Sequence, residues 1–322
     1  MKKRNMRVVL IVMMMVVFGL AFMPQESKAE YPTKPVSFLI PFGVGGSADL
    51  MGRALAAGAK DTLGQPIVPI NRPGAGGGIM YTALNASKAD GYSVGWNSTS
   101  ILTTTNIGNV PFKYTDFENI CRIGYTAMPI AVRQDAPWNT LQELVDYAKK
   151  NPGKIKIGNA GTGSGTHLTA VMLAEVTDIQ VVHVPLGAKR RVSSCLGGEV
   201  QVICVPLPEA APQCLGGQMR LLAVSTANRD PKFPEVPTMK ELGYPVVMDL
   251  FRGISVPKGT PKSVIQKLEA AFEKGSQDEG FQKIAETKGF NISFQGHEAF
   301  EAYLKEQNEN VFKSLKLGGL IK

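Results

Sequence analysis

The chain has 322 residues, a formal net charge of +8, 44% hydrophobic and 19% charged residues, and four cysteines. At that length a single ordinary core is too small a unit, and two lobes are expected. Lys2, Lys3, Arg4, Arg7 and Lys28 against Glu26 account for +4 of the charge, and the +4 left from Glu30 onward alternates with Asp and Glu along polar faces, so no basic stripe for nucleic acid exists.

Residues 1–29 read as a secretory signal peptide. A basic start leads into an apolar stretch from Val8 to Phe22, and Ser27-Lys28-Ala29 gives a small-x-small pattern with cleavage expected near Ala29. The stretch is shorter than a spanning helix, and Pro24, Gln25 and Glu26 follow it closely. Export permits disulfides among Cys121, Cys195, Cys204 and Cys214, with three connectivities that spacing does not separate; buried free thiols fit the apolar surroundings of Cys195 and Cys204 equally well.

Val36 to Pro41 is a short apolar run that reads as a strand, followed by the turn FGVGGS and a helical pattern through Leu50, Met51, Ala54, Leu55 and Gly58. Further short buried strands are predicted at Ile67 to Ile70, Tyr92 to Trp96, Val181 to Val184, Val200 to Val205 and Leu221 to Ser225. Thr140, with Glu143 three residues on, predicts a capping box opening a helix over Leu141 to Lys149. Ile155 to Ala160, the turn GTGSGT and a helix through Leu168, Val171 and Met172 repeat the grammar of the first unit. From Pro261 to Lys322 the pattern is mainly helical, with stripes Val264, Leu268, Ala271, Phe272 and Phe300, Tyr303, Leu304, Gln307. Such alternation implies α/β architecture with mostly parallel sheets. Without one Pro/Gly-rich divider, the chain is expected to cross between lobes more than once, near Val132 to Asp135 and near Leu250 to Ile254.

The two glycine turns carry the chemistry. In the first, Phe42, Gly43, Gly45, Gly46, Ser47 and Asp49, glycines let backbone approach a ligand, and Ser47 is expected to cap the next helix. A helix opening concentrates free N–H groups and positive potential, which suits a carboxylate without Lys or Arg. The second turn, Gly161, Thr162, Gly163, Ser164, Gly165, Thr166 and His167, offers the same. Neither closes with the Gly-Lys-Ser/Thr of a phosphate loop, and a Thr stands where a dinucleotide fingerprint needs its third glycine. The third stretch, Asn71 to Gly78, reads as a tight loop and not a cradle.

A hydrolase fails on pattern. Neither Ser47 nor Ser164 sits in G-x-S-x-G, and His167 shares the helix of Ser164 instead of arriving from another loop. The chain has three histidines and no H-x-x-x-H pair, so no metal site and no cofactor are expected.

The strings YPTKPVSFLIPFGVGGSADLMGR, LGQPIVPINRPGAGGGI, NPGKIKIGNAGTGSGTHL and LLAVSTANRDPKFPEVPTMKELGYP resemble the solute-binding subunits of tripartite tricarboxylate transporters, the Bug-type receptors, over almost the whole mature chain. The resemblance implies a two-lobed type II periplasmic-binding clamshell, each lobe a mostly parallel sheet flanked by helices. Residues 30–132 would form the first part of lobe 1, 133–250 lobe 2, and 251–322 a return to lobe 1 with C-terminal helices. It implies a periplasmic, monomeric, non-enzymatic protein that binds a small carboxylate and meets the membrane subunits of a transporter. A sensor presenting its closed form to a membrane kinase is the alternative output. By the resemblance the binding residues are Phe42, Gly43, Gly45, Gly46, Ser47 and Asp49 from the first turn, Gly161 to His167 from the second, and Ser164 and Thr166 as hydroxyl donors. Asp49 is better read as a structural acid, because direct contact with an anion would be repulsive. Ser98 and Thr99 resemble a polar loop at the cleft rim. Where the family carries Tyr-Lys-Gly after a Val-Pro, this chain has Val184-Pro185-Leu186-Gly187, one residue shorter, with Pro185, Leu186 and Gly187 kept as binding candidates; the basic residues Lys189, Arg190 and Arg191 that follow either reach a distal carboxylate or form a solvated face.

Overall fold

The computed structural model describes residues 30–187, 190–317 and 319–321, so the expected signal peptide and Lys189 lie outside the described residues. Strand β1 (Val36–Ile40) is the buried run foreseen, and helix α1 (Ser47–Leu63) stops at Gly64, whose φ of 79° and N–H bond to Lys60 O close the helix end. Next come β2 (Ile67–Asn71), α2 (Gly78–Asn85), β3 (Ser93–Ser98), α3 (Ser100–Ile107) and β4 (Phe117–Thr126). Then follow β5 (Ile130–Arg133), α4 (Leu141–Lys150), β6 (Lys156–Asn159), α5 (Gly165–Thr177), β7 (Val182–Pro185), α6 (Arg191–Leu196), β8 (Val202–Cys204), α7 (Leu207–Leu215) and β9 (Met219–Ala223). The chain finishes with β10 (Leu250–Pro257), α8 (Lys262–Gln277), α9 (Glu279–Lys288), β11 (Asn291–Gln295) and α10 (His297–Leu317).

Two sheets result. One has six strands in the order β11-β4-β10-β3-β1-β2, and the other five in the order β7-β6-β8-β5-β9. Both are mixed. The β1/β2, β1/β3, β6/β7 and β6/β8 pairs are parallel, because a crossover helix separates each strand from its partner. Strands that arrive from the other sheet run the opposite way: β10 is antiparallel to β3 and β4, and β5 is antiparallel to β8 and β9. Because β5 already belongs to the five-stranded sheet, the first passage lies at Ala127–Pro129, ahead of the Val132 to Asp135 expected. The return runs from the end of β9 into β10, and Asp249 at its end is pinned by Arg122 (3.1 Å) and Tyr303 (2.7 Å).

Burial explains why these segments hold. Phe38 of β1 is fully buried between the Trp96 and Phe272 rings, at centroid distances of 5.7 and 5.6 Å, which ties the six-stranded sheet to α8. Leu186, Ile203, Val205 and Phe233 fill a core beside the five-stranded sheet. Thr140 caps α4 by accepting from Glu143 N (3.2 Å), but the Glu143 carboxylate reaches Asn139 N, one residue earlier than a capping box requires. All four cysteines are unbridged, and burial pushes their thiols up, which keeps them protonated and inert.

Candidate ligand-binding cleft

The first turn is shaped by Gly45, whose φ of 84° favours glycine, and braced by Asp49. The Asp49 carboxylate accepts from Gly45 N (2.9 Å), Arg53 Nε (2.8 Å) and Asn71 Nδ2 (3.0 Å), and Asn71 Nδ2 also holds Phe42 O. Asp49 is therefore fully engaged in holding the loop. Ser47 does not cap α1: Gly46 occupies the cap position, and the buried Ser47 Oγ has no hydrogen-bond partner among the described residues.

The second turn uses positive φ at Gly161 (134°) and Gly163 (78°). Ser164 caps α5 by accepting from His167 N (3.2 Å), Thr166 Oγ1 accepts from Ala160 N (3.0 Å), and the two hydroxyls lie 3.1 Å apart. They hold two protons between them; their mutual hydrogen bond uses one, and both amides donate, so one O–H stays free to donate to a guest. Thr103 Oγ1 bonds Gly163 O and fastens this turn to α3, across from its own sheet.

His167 Nδ1 accepts from Gly163 N (3.3 Å), and its ring meets His183 edge-on at 5.0 Å. Burial, with His183 beside it, pulls His167 from 6.5 to about 4, so the ring is neutral and serves the turn. The unfolded chain then binds more protons between those values. Stability is fully present above about pH 6.5 and is lost as pH falls towards about 4. Denaturant midpoints are expected to drop through that window, and less steeply in His167→Gln; an identical slope in the variant would remove His167 as the source.

The two turns meet in one cavity. Phe42, Gly46, Ser47 and Ala48 line it from the first, and Ala160, Ser164, Gly165 and Thr166 from the second. Arg191 and Glu209 enter from the five-stranded side, both buried and paired at 2.7 Å, and Glu209 Oε1 also accepts from Ser47 N (3.0 Å). Arg252 enters from β10, only 2% exposed, and Leu250 and Pro206 complete the wall. Burial draws Arg252 down to about 10, which leaves it cationic. The inner space shares Phe42, Ala160 and Arg191 as walls with an outer cleft of about 760 Å³ lined by Gly43, Gly161, Thr162, Pro185, Gly187 and residues 73–77.

The remaining predicted residues stand behind the walls. Gly45, Asp49, Gly163 and His167 shape the turns and line neither space. Ser98 Oγ bonds Ser100 Oγ (2.8 Å), and Thr99 Oγ1 donates to Asp249 O (3.1 Å) and accepts from Phe251 N (3.2 Å), so this pair belongs to the β3/β10 junction and not to a rim loop. Leu186 is core. The third glycine stretch is a cleft wall after all, because Ala75 to Gly77 turn sharply enough to bring Gly76 against the second turn. Of the basic trio, exposed Arg190 pairs with Glu199 (2.8 Å), while Arg191 points inward. Glu209 and Arg252 were not foreseen. Each sits in an apolar stretch, PLPEAAP and LFRGISV, and a single charge in such a setting was the available signal. A separate cavity of about 750 Å³, between Tyr125, Thr226 and α10, holds neither turn and no unpartnered buried polar atom among the described residues.

Two mixed α/β sheets with helix openings converging on one cleft define a two-lobed periplasmic-binding fold. The chain belongs to the tripartite tricarboxylate transporter receptor family, whose sequence profile matches residues 51–316. The UPF0065 protein in the gbd 5′ region of Cupriavidus necator is 36% identical over 261 residues, 80% of this chain and 79% of that one. The structure of the periplasmic binding protein BugD superposes with a TM-score of 0.85 at 33% identity, covering 90% of this chain and 99% of that one. Rpa4515 of R. palustris, solved with adipate, shares the fold with a TM-score of 0.84 at 24% identity, covering 90% and 99%.

Proposed function

We propose that the chain is a periplasmic receptor that closes around a small organic carboxylate and delivers it, chemically unaltered, to the membrane subunits of a tripartite transporter. The observation that carries this reading is the convergence of two helix-opening turns, a free hydroxyl proton and an excess positive charge in one buried cavity. Each of these favours an anion. The adipate in Rpa4515 is a carboxylate of the expected class. The protein acts as a monomer without a cofactor, exported by the leader, and Phe42, Gly43, Gly46, Ser47, Gly161, Thr162, Ser164, Thr166, Pro185 and Gly187 face the guest.

A thermal-shift screen against an organic-acid library tests this. A ligand at one hundred times its dissociation constant adds about 2.7 kcal/mol of stability. A carboxylate is expected to give the largest shift, and its methyl ester or amide none. Equal response to an acid and its ester would overturn the reading.

A further inference from the structure

Arg252 is 2% exposed, lines the inner cavity, and has two guanidinium nitrogens, Nε and Nη1, with no hydrogen-bond partner among the described residues. It lies on the strand between β3 and β4, paired with Ser98 and Gly124, so the sheet aims it from a rigid position. Around it, the charges do not balance. Arg191 is matched by Glu209 at 2.7 Å, and no second carboxylate lines the cavity among the described residues, so one buried positive charge is left over. An unpaired buried cation is costly and persists where a partner is supplied from outside. Glu209 is half used: Oε1 holds Ser47 N and Arg191, while Oε2 is buried and accepts nothing. The cavity thus presents donors with excess charge beside one free acceptor.

We propose that Arg252 is the counter-ion of the ligand's anionic head, and that Glu209 Oε2 accepts from a hydroxyl or ammonium next to that head, so the receptor takes 2-hydroxy or 2-amino acids in preference to plain acids. The proposal rests on the carboxylate-receptor reading and names the ligand class for that site. The side chains leave only about 10 Å³ among them, one water's room, so the head enters as the two sheets part and the body of the ligand lies in the outer cleft. A carboxylate there restores neutrality, and its neighbouring donor fills the acceptor an unsubstituted acid would leave bare.

The test uses matched acids, malate with succinate and lactate with propionate, plus aspartate, titrated calorimetrically against wild type, Arg252→Met, Arg252→Lys and Glu209→Gln, with melting temperatures recorded without ligand. The substituted acids are expected to bind at least about 10-fold tighter than their plain partners. Arg252→Met should weaken them about 100-fold and Arg252→Lys less, since the charge survives without the planar donor set. Glu209→Gln should narrow the gap within each pair. Without ligand, Arg252→Met should melt at or above wild type, because the Arg191–Glu209 pair it leaves is neutral. Unchanged affinity in Arg252→Met, a ligand-free melting point well below wild type, or equal binding within the pairs overturns the proposal. If no acid in the wider library stabilises wild type, the receptor reading fails instead, and the ligand-free melting point of Arg252→Met still decides whether Arg252 is a structural cation.

Discussion

Glu209→Ala is expected to lose about 3 kcal/mol or more of stability at low ionic strength, an effect typical of leaving a buried charge uncompensated. The substitution strands two guanidiniums, Arg191 and Arg252, in one cavity, and it removes the acceptor of Ser47 N. Like charges that share a dry site repel strongly. Added acetate or sulfate should recover part of the loss by taking the place of the missing carboxylate. Denaturant unfolding with and without these anions measures both effects. A variant within about 0.5 kcal/mol of wild type, a typical surface value, would mean that Glu209 does not balance the arginines.

Gly76→Val should prevent closure. A Cβ at Gly76 would stand 2.6 Å from Thr162 O and 3.1 Å from Gly163 C, both backbone atoms of the second turn. Gly76 lies between β2 and α2, and Thr162 between β6 and α5, so the added atoms wedge apart elements of different sheets. Ligand affinity is expected to fall about 100-fold or more, since the closed form is what a ligand stabilises. Scattering should report a larger radius of gyration. Gly153→Val supplies the control: its φ of 73° strains a β-branched residue as the 64° of Gly76 does, yet among the described residues nothing lies within 4 Å of its Cβ. If both variants bind ligand alike, backbone strain and not the wedge is responsible.

The local units were legible because their signals are local. An apolar run such as Val36 to Ile40, a glycine turn and a helix stripe lie within about thirty residues, and the same grammar at Lys156 to Thr177 repeated it. Strands β4 and β10 were not read as strands, since Asn119, Arg122 and Arg252 interrupt their apolar pattern. Two of these are satisfied by partners remote in the chain, Arg122 by Asp249 and Asn119 by Ser255 and Glu301. The mixed sheets were hidden for a related reason, because strand direction follows from which sheet the chain comes from, and no short window records that.

What the residues determined unaided was the two-lobed α/β class, from chain length and strand–helix alternation, and the pair of amide-rich turns with the bracing role of Asp49, which rest on backbone geometry a few residues long. What only the tertiary structure decided was the charge of the cleft. Glu209 stands 162 residues from Ser47 in the chain and only the fold sets its carboxylate against Ser47 N, and Arg252 takes its place between β3 and β4 only when the sheet forms. Electrostatic balance is a property of groups brought together across the whole chain, so it first exists when the sheets are assembled.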